Sequence, residues 1–261
     1  PAGEILADEL EARDWTQMEF AEILGRPTQF VSEIISGKKE ITRESAAQIG
    51  AALGTPAEFW LNLQDAYLLW KQAQDADSRQ ALDAVKTRAR LRDVAPVALL
   101  RRRGYIKSTD PDKQSQEVLK LLEMQSFDDR SSITFAARRS NGGETVTVLQ
   151  RAWVACVKEA ARAIQVPTYD AAAFRELARQ LSGLARDPKV FALLQSMFAE
   201  VGVKLVYVES FPGGKLDGCA MMVDGNPVIG VSGRGKRLDI VLFTILHEVS
   251  HVLLGHLEDD G

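Results

Sequence analysis

His247, Glu248 and His251 stand close together in ILHEVSHVLLGH, residues 245–256, a stretch that with His256 holds every histidine of the chain. On an α-helix, side chains four apart stack on one face within about 6 Å. That is the spacing two imidazoles need to share one tetrahedral zinc ion. Glu248 is turned about 100° from His247, near enough to reach a water on such an ion without competing as a ligand. The chemistry of the pattern is hydrolysis: zinc brings the pKa of its water to about 7, and Glu248 takes the proton as general base. His256 would face away from the pair on a continued helix, and Gly255 is expected to end the helix first, so His256 reads as a C-terminal cap or surface residue. Glu258, Asp259 and Asp260 follow, on a terminus that is a poor ligand platform. The plain alternative is a buried helix with two satisfied histidines.

A second constellation lies in TQMEFAEILGRPTQFVSEII, residues 16–35. A helix-turn-helix needs a small residue where its helices touch, a turn residue tolerating positive φ, and apolar anchors under the second helix. Ala21, Gly25, and Val31 with Ile34 supply these in turn. That register leaves Thr28, Gln29, Ser32 and Glu33 outward, and the first three suit base edges in a major groove. Gln17 and Lys38 are placed for phosphates. The alternative is a plain helical bundle, and charge bears on the choice. Residues 1–72 carry twelve acids and six bases, so non-specific DNA affinity should be low. Binding would rest on a local patch of Arg26, Lys38, Lys39 and Arg43, and on a dimer.

The elements that must position these residues are mainly helical. Residues 4–72 read as five short helices, with Thr16 capping TQMEFAEIL up to Gly25 and Pro27 opening PTQFVSEIIS up to Gly37. Thr42 with Ser45 starts the next helix, which ends at Gly54; Thr55 and Pro56 begin the last. Phe20, Ile23 and Leu24 illustrate the helical period. A basic helical connector is expected over 73–113. Nine Lys or Arg against two acids fall between Arg79 and Lys107, a solvated face or a contact to DNA phosphates. STDPDK, 108–113, reads as a turn and boundary. Residues 114–200 read as helices: EVLKLLEM, 146–164, AFRELARQLSGL and KVFALLQSMFAEVG. SITFAARRSNGGETVTV, 132–148, reads as two helices and a loop in preference to a hairpin. Strand character is confined to VKLVYVES and to CAMMVDGNPVIGVS, with its Asp-Gly turn at 224–225. A final helix runs from about Ile240 to Leu254, and SGRGKR, 232–237, is an ordinary turn. The fold class is therefore mainly α: an N-terminal helix-turn-helix domain, a connector, and a C-terminal α+β domain over 114–261.

The chain has 261 residues, a formal charge of -4 and 46% hydrophobic residues, which suit a globular protein with a real core. Cys156 and Cys219 stand in no ligand spacing and read as reduced, buried thiols. Neither a signal peptide nor a membrane-spanning run is seen. A cytoplasmic protein with no membrane partner is expected.

GEILADEL, TQMEFAEILG, VSEIISGKKEIT and ALGTPAEFWLNLQDAYLLWK resemble the Xre-type regulators of the HigA antitoxin group over 3–72. The resemblance implies a homodimer reading an inverted repeat in double-stranded DNA. Phe59, Trp60, Leu61 and Leu63 would serve core or dimer interface. CAMMVDGNPVIGVSGR followed by VLFTILHEVSHVLLGH resembles the ImmA/IrrE-like zinc metallopeptidases over about 201–257, and VAPVALLRRRGYI resembles the region that joins Xre domains to them. This implies a zincin-like core over 201–261 with Zn2+ held by His247 and His251. It also implies an edge, residues 223–231, that aligns a peptide by strand addition. In that family an acidic ligand comes two dozen or more residues after the second histidine, beyond Gly261, so this chain is expected to lack it. Three functions follow: a DNA-binding regulator fused to a peptidase that cleaves a regulatory protein, an antitoxin-like repressor whose peptidase-like domain senses or binds a partner such as a toxin, or a stand-alone peptidase.

Overall fold

The computed structural model describes residues 1–128, 146–184 and 186–257. It divides into two compact units, Pro1–Asp83 and Ala84–Gly261.

The first unit is built from α1 (Ala2–Glu11), α2 (Gln17–Leu24), α3 (Thr28–Ile35), α4 (Arg43–Leu53) and α5 (Ala57–Gln74). Each start has a local cause. At α2 the Thr16 hydroxyl accepts from the Glu19 N–H at 3.2 Å while the Glu19 carboxylate accepts from the Thr16 N–H at 2.7 Å, a reciprocal capping box. Thr42 and Ser45 form the same arrangement at α4. Pro27 and Pro56 occupy the N-cap positions of α3 and α5, one residue before the first helical position expected of them. Thr55, expected as a cap, instead accepts from the Trp60 indole N–H at 2.8 Å, which satisfies the one polar atom of a fully buried ring. Leu6, Phe20, Ile49 and Trp60 are completely buried and form this unit's core with Ala21, Val31 and Ile34. Ile23, which shares the helical period with Phe20 and Leu24, is nonetheless 51% exposed. On so short a helix the buried stripe is filled by Phe20, Ala21 and Leu24.

The division falls inside α6 (Ala76–Val94), within the stretch expected as a connector. Pro96 cannot donate a helical hydrogen bond, and α7 (Val97–Arg102) starts after it. STDPDK is a turn only to Asp110, whose carboxylate caps α8 (Pro111–Leu121), with Pro111 in its first turn. Then come α9 (Val148–Arg162) and α10 (Ala171–Leu184). The single helix expected over 189–202 is broken into a 3-10 turn, Pro188–Ala192, and α11 (Leu194–Glu200). Of the two helices and loop expected at 132–148, residues 132–145 lie outside the described residues, as do Glu258, Asp259 and Asp260.

β1 (Lys204–Tyr207), β2 (Gly218–Val223) and β3 (Asn226–Val231) form a sheet in the order β1-β3-β2, with β1 parallel and β2 antiparallel to β3. Asp224 (φ 52°) and Gly225 (φ 78°) make the hairpin turn, both left-handed as a type I′ turn requires. The strands carry apolar residues to both faces. Val206, Cys219, Met221 and Val228 meet Trp153 and Val157 of α9. Leu205, Ile229 and Val231 meet α10, α11 and α12 (Leu238–Leu253) through Phe174, Phe198, Ile245 and Val249. Helices therefore cover both sides of the sheet. Among the described residues no helix is long and apolar enough to cross a membrane.

Candidate nucleic-acid interface and candidate metal centre

In the first unit α2 and α3 pack with Ala21 buried between them, and Gly25 turns the chain at φ 64°, a conformation with little cost only for glycine. Val31 and Ile34 are buried on the inner face of α3, while Thr28, Gln29 and Ser32 are exposed on its outer face and Gln17 is exposed at the start of α2. Thr28, Gln29 and Ser32 are thus outward as expected, while Glu33, expected outward with them, is half-buried. The structure adds what spacing could not carry. The Gln29 amide donates to Glu33 at 2.8 Å, and Glu33 also pairs with Lys39 at 3.5 Å. Arg26 is held by Glu44 and Gln48, and Arg26 and Lys39 flank the Phe30 ring at 5.3 and 4.9 Å. Of the four-residue basic patch, Lys38 and Arg43 remain exposed with no acidic partner among the described residues. Two of the four basic charges, Arg26 and Lys39, are thus already paired with acids.

In the second unit the HExxH segment lies on α12. The Nε2 atoms of His247 and His251 are 3.2 Å apart, with the rings nearly perpendicular at 85°. Two nitrogens each about 2.05 Å from a tetrahedral zinc would be about 3.3 Å apart, so the pair fits one edge of that polyhedron. Glu248 is 4% exposed and accepts no hydrogen bond among the described residues. It lines a cavity of about 260 Å³ with His247, Thr244, Phe243, Lys215 and Asp217. Burial pushes its carboxyl up to about 7. A buried, unpartnered carboxylate is costly unless something binds it. Against the fit, no group of three or more His, Cys, Asp or Glu positioned for a metal occurs among the described residues. The histidines supply two donors and the described chain no third.

Gly255, at φ 67°, ends α12: its N–H bonds to Val252 O at 3.2 Å and the His256 N–H to His251 O at 3.0 Å. This pair is a Schellman motif. His256 is exposed, as expected of a surface or capping residue, yet the motif folds its ring back to 5.8 Å from that of His251.

Residues missed by sequence reasoning also frame the site. A methyl group on Gly218 would stand 2.6 Å from Thr244 Cγ2 and 2.8 Å from Glu248 Oε1. Only glycine lets β2 pass the catalytic candidate this closely. A glycine opening a strand was the available signal. Phe243 is 73% exposed and stacked on His247 at 6.4 Å. The edge expected at 223–231 is corrected: β3 is the middle strand, paired on both sides, so among the described residues the open edge beside α12 belongs to β2. Arg234 of the expected ordinary turn makes a bidentate pair with Asp217 at 2.6 and 2.8 Å. Cys156 and Cys219 are free and buried, and burial raises both thiols, Cys156 to about 12, which leaves them unreactive at neutral pH.

No family model matches the chain. Known proteins match its N-terminal region. The uncharacterized HTH-type transcriptional regulator YbaQ of Escherichia coli is 32% identical over 87 residues, 33% of this chain and 77% of YbaQ. Antitoxin HigA-1 of Vibrio cholerae is 42% identical over 69 residues, 26% of this chain and 65% of HigA-1. Among solved structures, Pseudomonas aeruginosa antitoxin HigA with higBA promoter is 32% identical, covers 31% of this chain and 87% of that one, and has a TM-score of 0.29.

Proposed function

Because the chain belongs through its N-terminal region to the HTH-type transcriptional regulators, we propose that it is a sequence-specific DNA-binding regulator, read out by α3, whose C-terminal unit is a zinc-dependent peptidase acting on a regulatory protein. The observation that carries the DNA half is the exposed row Thr28, Gln29 and Ser32 over the buried anchors Val31 and Ile34. Gln29 offers an amide for bidentate contact with adenine once it leaves Glu33. Gln17 and Lys38 flank the row for phosphates. A homodimer on an inverted repeat would double a weak half-site. The far end of α5 suits such a partner copy, with Leu69 65% and Trp70 59% exposed and Tyr67 stacked on Trp70 at 5.9 Å.

For the second unit, the carrying observation is the pair of Nε2 atoms at 3.2 Å beside the unpartnered Glu248 carboxylate. Zinc held by His247 and His251 would supply a Lewis acid and an activated water when bound. Glu248 would take up the proton at its carboxyl oxygen, which lines the cavity beside His247. The open edge of β2 offers backbone groups to an extended peptide.

Two measurements test the halves separately. Fluorescence anisotropy with the gene's own promoter should lose about 1–3 kcal/mol of discrimination per variant in Gln29→Ala and Ser32→Ala. Lys38→Ala should weaken all sequences alike and lower the salt slope by about one. Equal affinity for operator and scrambled DNA in the unaltered protein rejects specific binding. Zinc content of purified protein should fall in His247→Ala and His251→Ala and persist in Glu248→Gln, with cleavage lost in all three. The antitoxin-like reading, in which the unit only senses or binds a partner such as a toxin, is favoured by zinc retention with no cleavage in any form.

A further inference from the structure

A cavity of about 590 Å³ opens in the second unit among the end of α6, α7, α8 and the start of α9. It is used by neither the α3 row nor the histidine helix. Its floor is apolar, with Leu91 of α6 and Ala95, just past its end, almost fully buried and Leu99 of α7 beside them. Val148 and Leu149 close it from α9.

The rim has the opposite character. Arg88 and Arg92 lie one helical turn apart on α6, and Arg101 joins them from α7; all three are exposed. No carboxylate is among the described lining residues, and none of the three arginines has an acidic partner among the described residues. Arg103, two positions on, shows the contrast. It donates to the carbonyl oxygens of Glu209 and Ser210, the latter at 2.8 Å, and lies 4.2 Å over the Phe211 ring. Arg103 serves the architecture, while Arg101 keeps its five donors for something else.

Three like charges around one opening repel each other, and an oxyanion between them removes that cost while accepting forked, charge-assisted hydrogen bonds. A bare inorganic anion would leave the Leu91–Leu99 floor wet. A neutral apolar molecule would leave the guanidinium groups unused. The volume lies within the range of about 300–1,000 Å³ usual for small-molecule sites. We propose that this cavity binds a small amphipathic anion, a carboxylate or phosphate head on an apolar body, with the head on Arg88, Arg92 and Arg101 and the body on the α6–α7 floor. The site sits on the helix that leads out of the DNA-reading unit, which places a ligand where a regulator would need one.

Isothermal titration calorimetry on the full chain tests this with octanoate, octyl phosphate, octanol and inorganic phosphate as probes. One or both amphipathic anions should bind at a single site, and octanol and inorganic phosphate at least about tenfold more weakly. Binding of one anion and not the other identifies the head group. The double variant Arg92→Gln/Arg101→Gln should lose about tenfold or more in affinity for the anion with an unchanged melting temperature, since both side chains are exposed. Ala98→Trp, which fills the cavity from its exposed rim, should abolish binding. Octanol binding as tightly as octanoate overturns the proposal, as does no binding of either anion at millimolar concentration. Unchanged anion affinity in the double variant, with weakened binding to duplex DNA, overturns it too and assigns these arginines to DNA phosphates.

Discussion

Glu248 carries the sharpest chemical consequence of single-residue placement. Its carboxyl titrates near 7 in the folded chain against an ordinary 4.5, and the cause is burial alone. The folded state therefore holds a proton over a range in which the unfolded chain has released it. Stability falls as pH rises from 4.5 to 7, and the full cost is present above 7. In metal-free protein, Glu248→Gln should stabilise the second unit at pH 8 by an amount on the order of 3 kcal/mol, and the gain should vanish toward pH 4.5. Urea melts across that range check it, and a gain independent of pH would contradict the burial argument. Zinc between His247 and His251 would draw the carboxyl back down, because a nearby cation favours the charged form. The residue types and spacing of this trio were legible in the chain. The burial of Glu248 was not, because it depends on β2, a strand some thirty residues earlier in the sequence.

At the scale of elements, caps and close crossings decide position. Thr16→Ala removes the hydroxyl arm of the capping box at α2 and leaves the arm from its backbone N–H to Glu19, and should lower the stability of the first unit by about 1 kcal/mol. The DNA-reading row would keep its identity and lose population. Gly218→Ala forces β2 away from Thr244 and Glu248, costing about 1–3 kcal/mol as overpacking. The clash falls on Thr244 and Glu248 and on neither histidine, so if zinc is held as proposed that variant should keep it while losing any cleavage. Loss of both together would mean that Gly218 shapes the whole helix. Thr16, Thr42, Gly25 and the Asp224-Gly225 turn could all be read locally, because each acts within four residues. Pairing in the sheet could not: β3 became the middle strand because β1 adds to it in parallel from a distance.

For the whole molecule, the division at Asp83 and Ala84 separates one core around Leu6, Phe20, Ile49 and Trp60 from cores on either face of the sheet. Separate cores should melt separately. Calorimetry is expected to resolve two transitions; under the proposed function zinc would shift one and operator DNA the other, since each ligand stabilises only the unit that binds it. A single transition moved equally by both would show the units to be thermodynamically one. The acidic excess of residues 1–72 and the pairing of Arg26 and Lys39 with acids make DNA binding steeply dependent on base contacts, so affinity for scrambled duplex should stay low at physiological salt.

The sequence by itself determined the helix-turn-helix unit, the position of α3's outward row, the hairpin and the two imidazoles on one helix face. All of these follow from periods, caps and turns whose interactions span a few residues. Tertiary structure alone decided which charges of the basic patch were already paired, that Gly218 admits β2 against Glu248, that β2 is the open edge, and that three arginines ring an apolar cavity. These arise from approaches between segments far apart in the chain, whose energies depend on packing and desolvation and leave no local pattern to read.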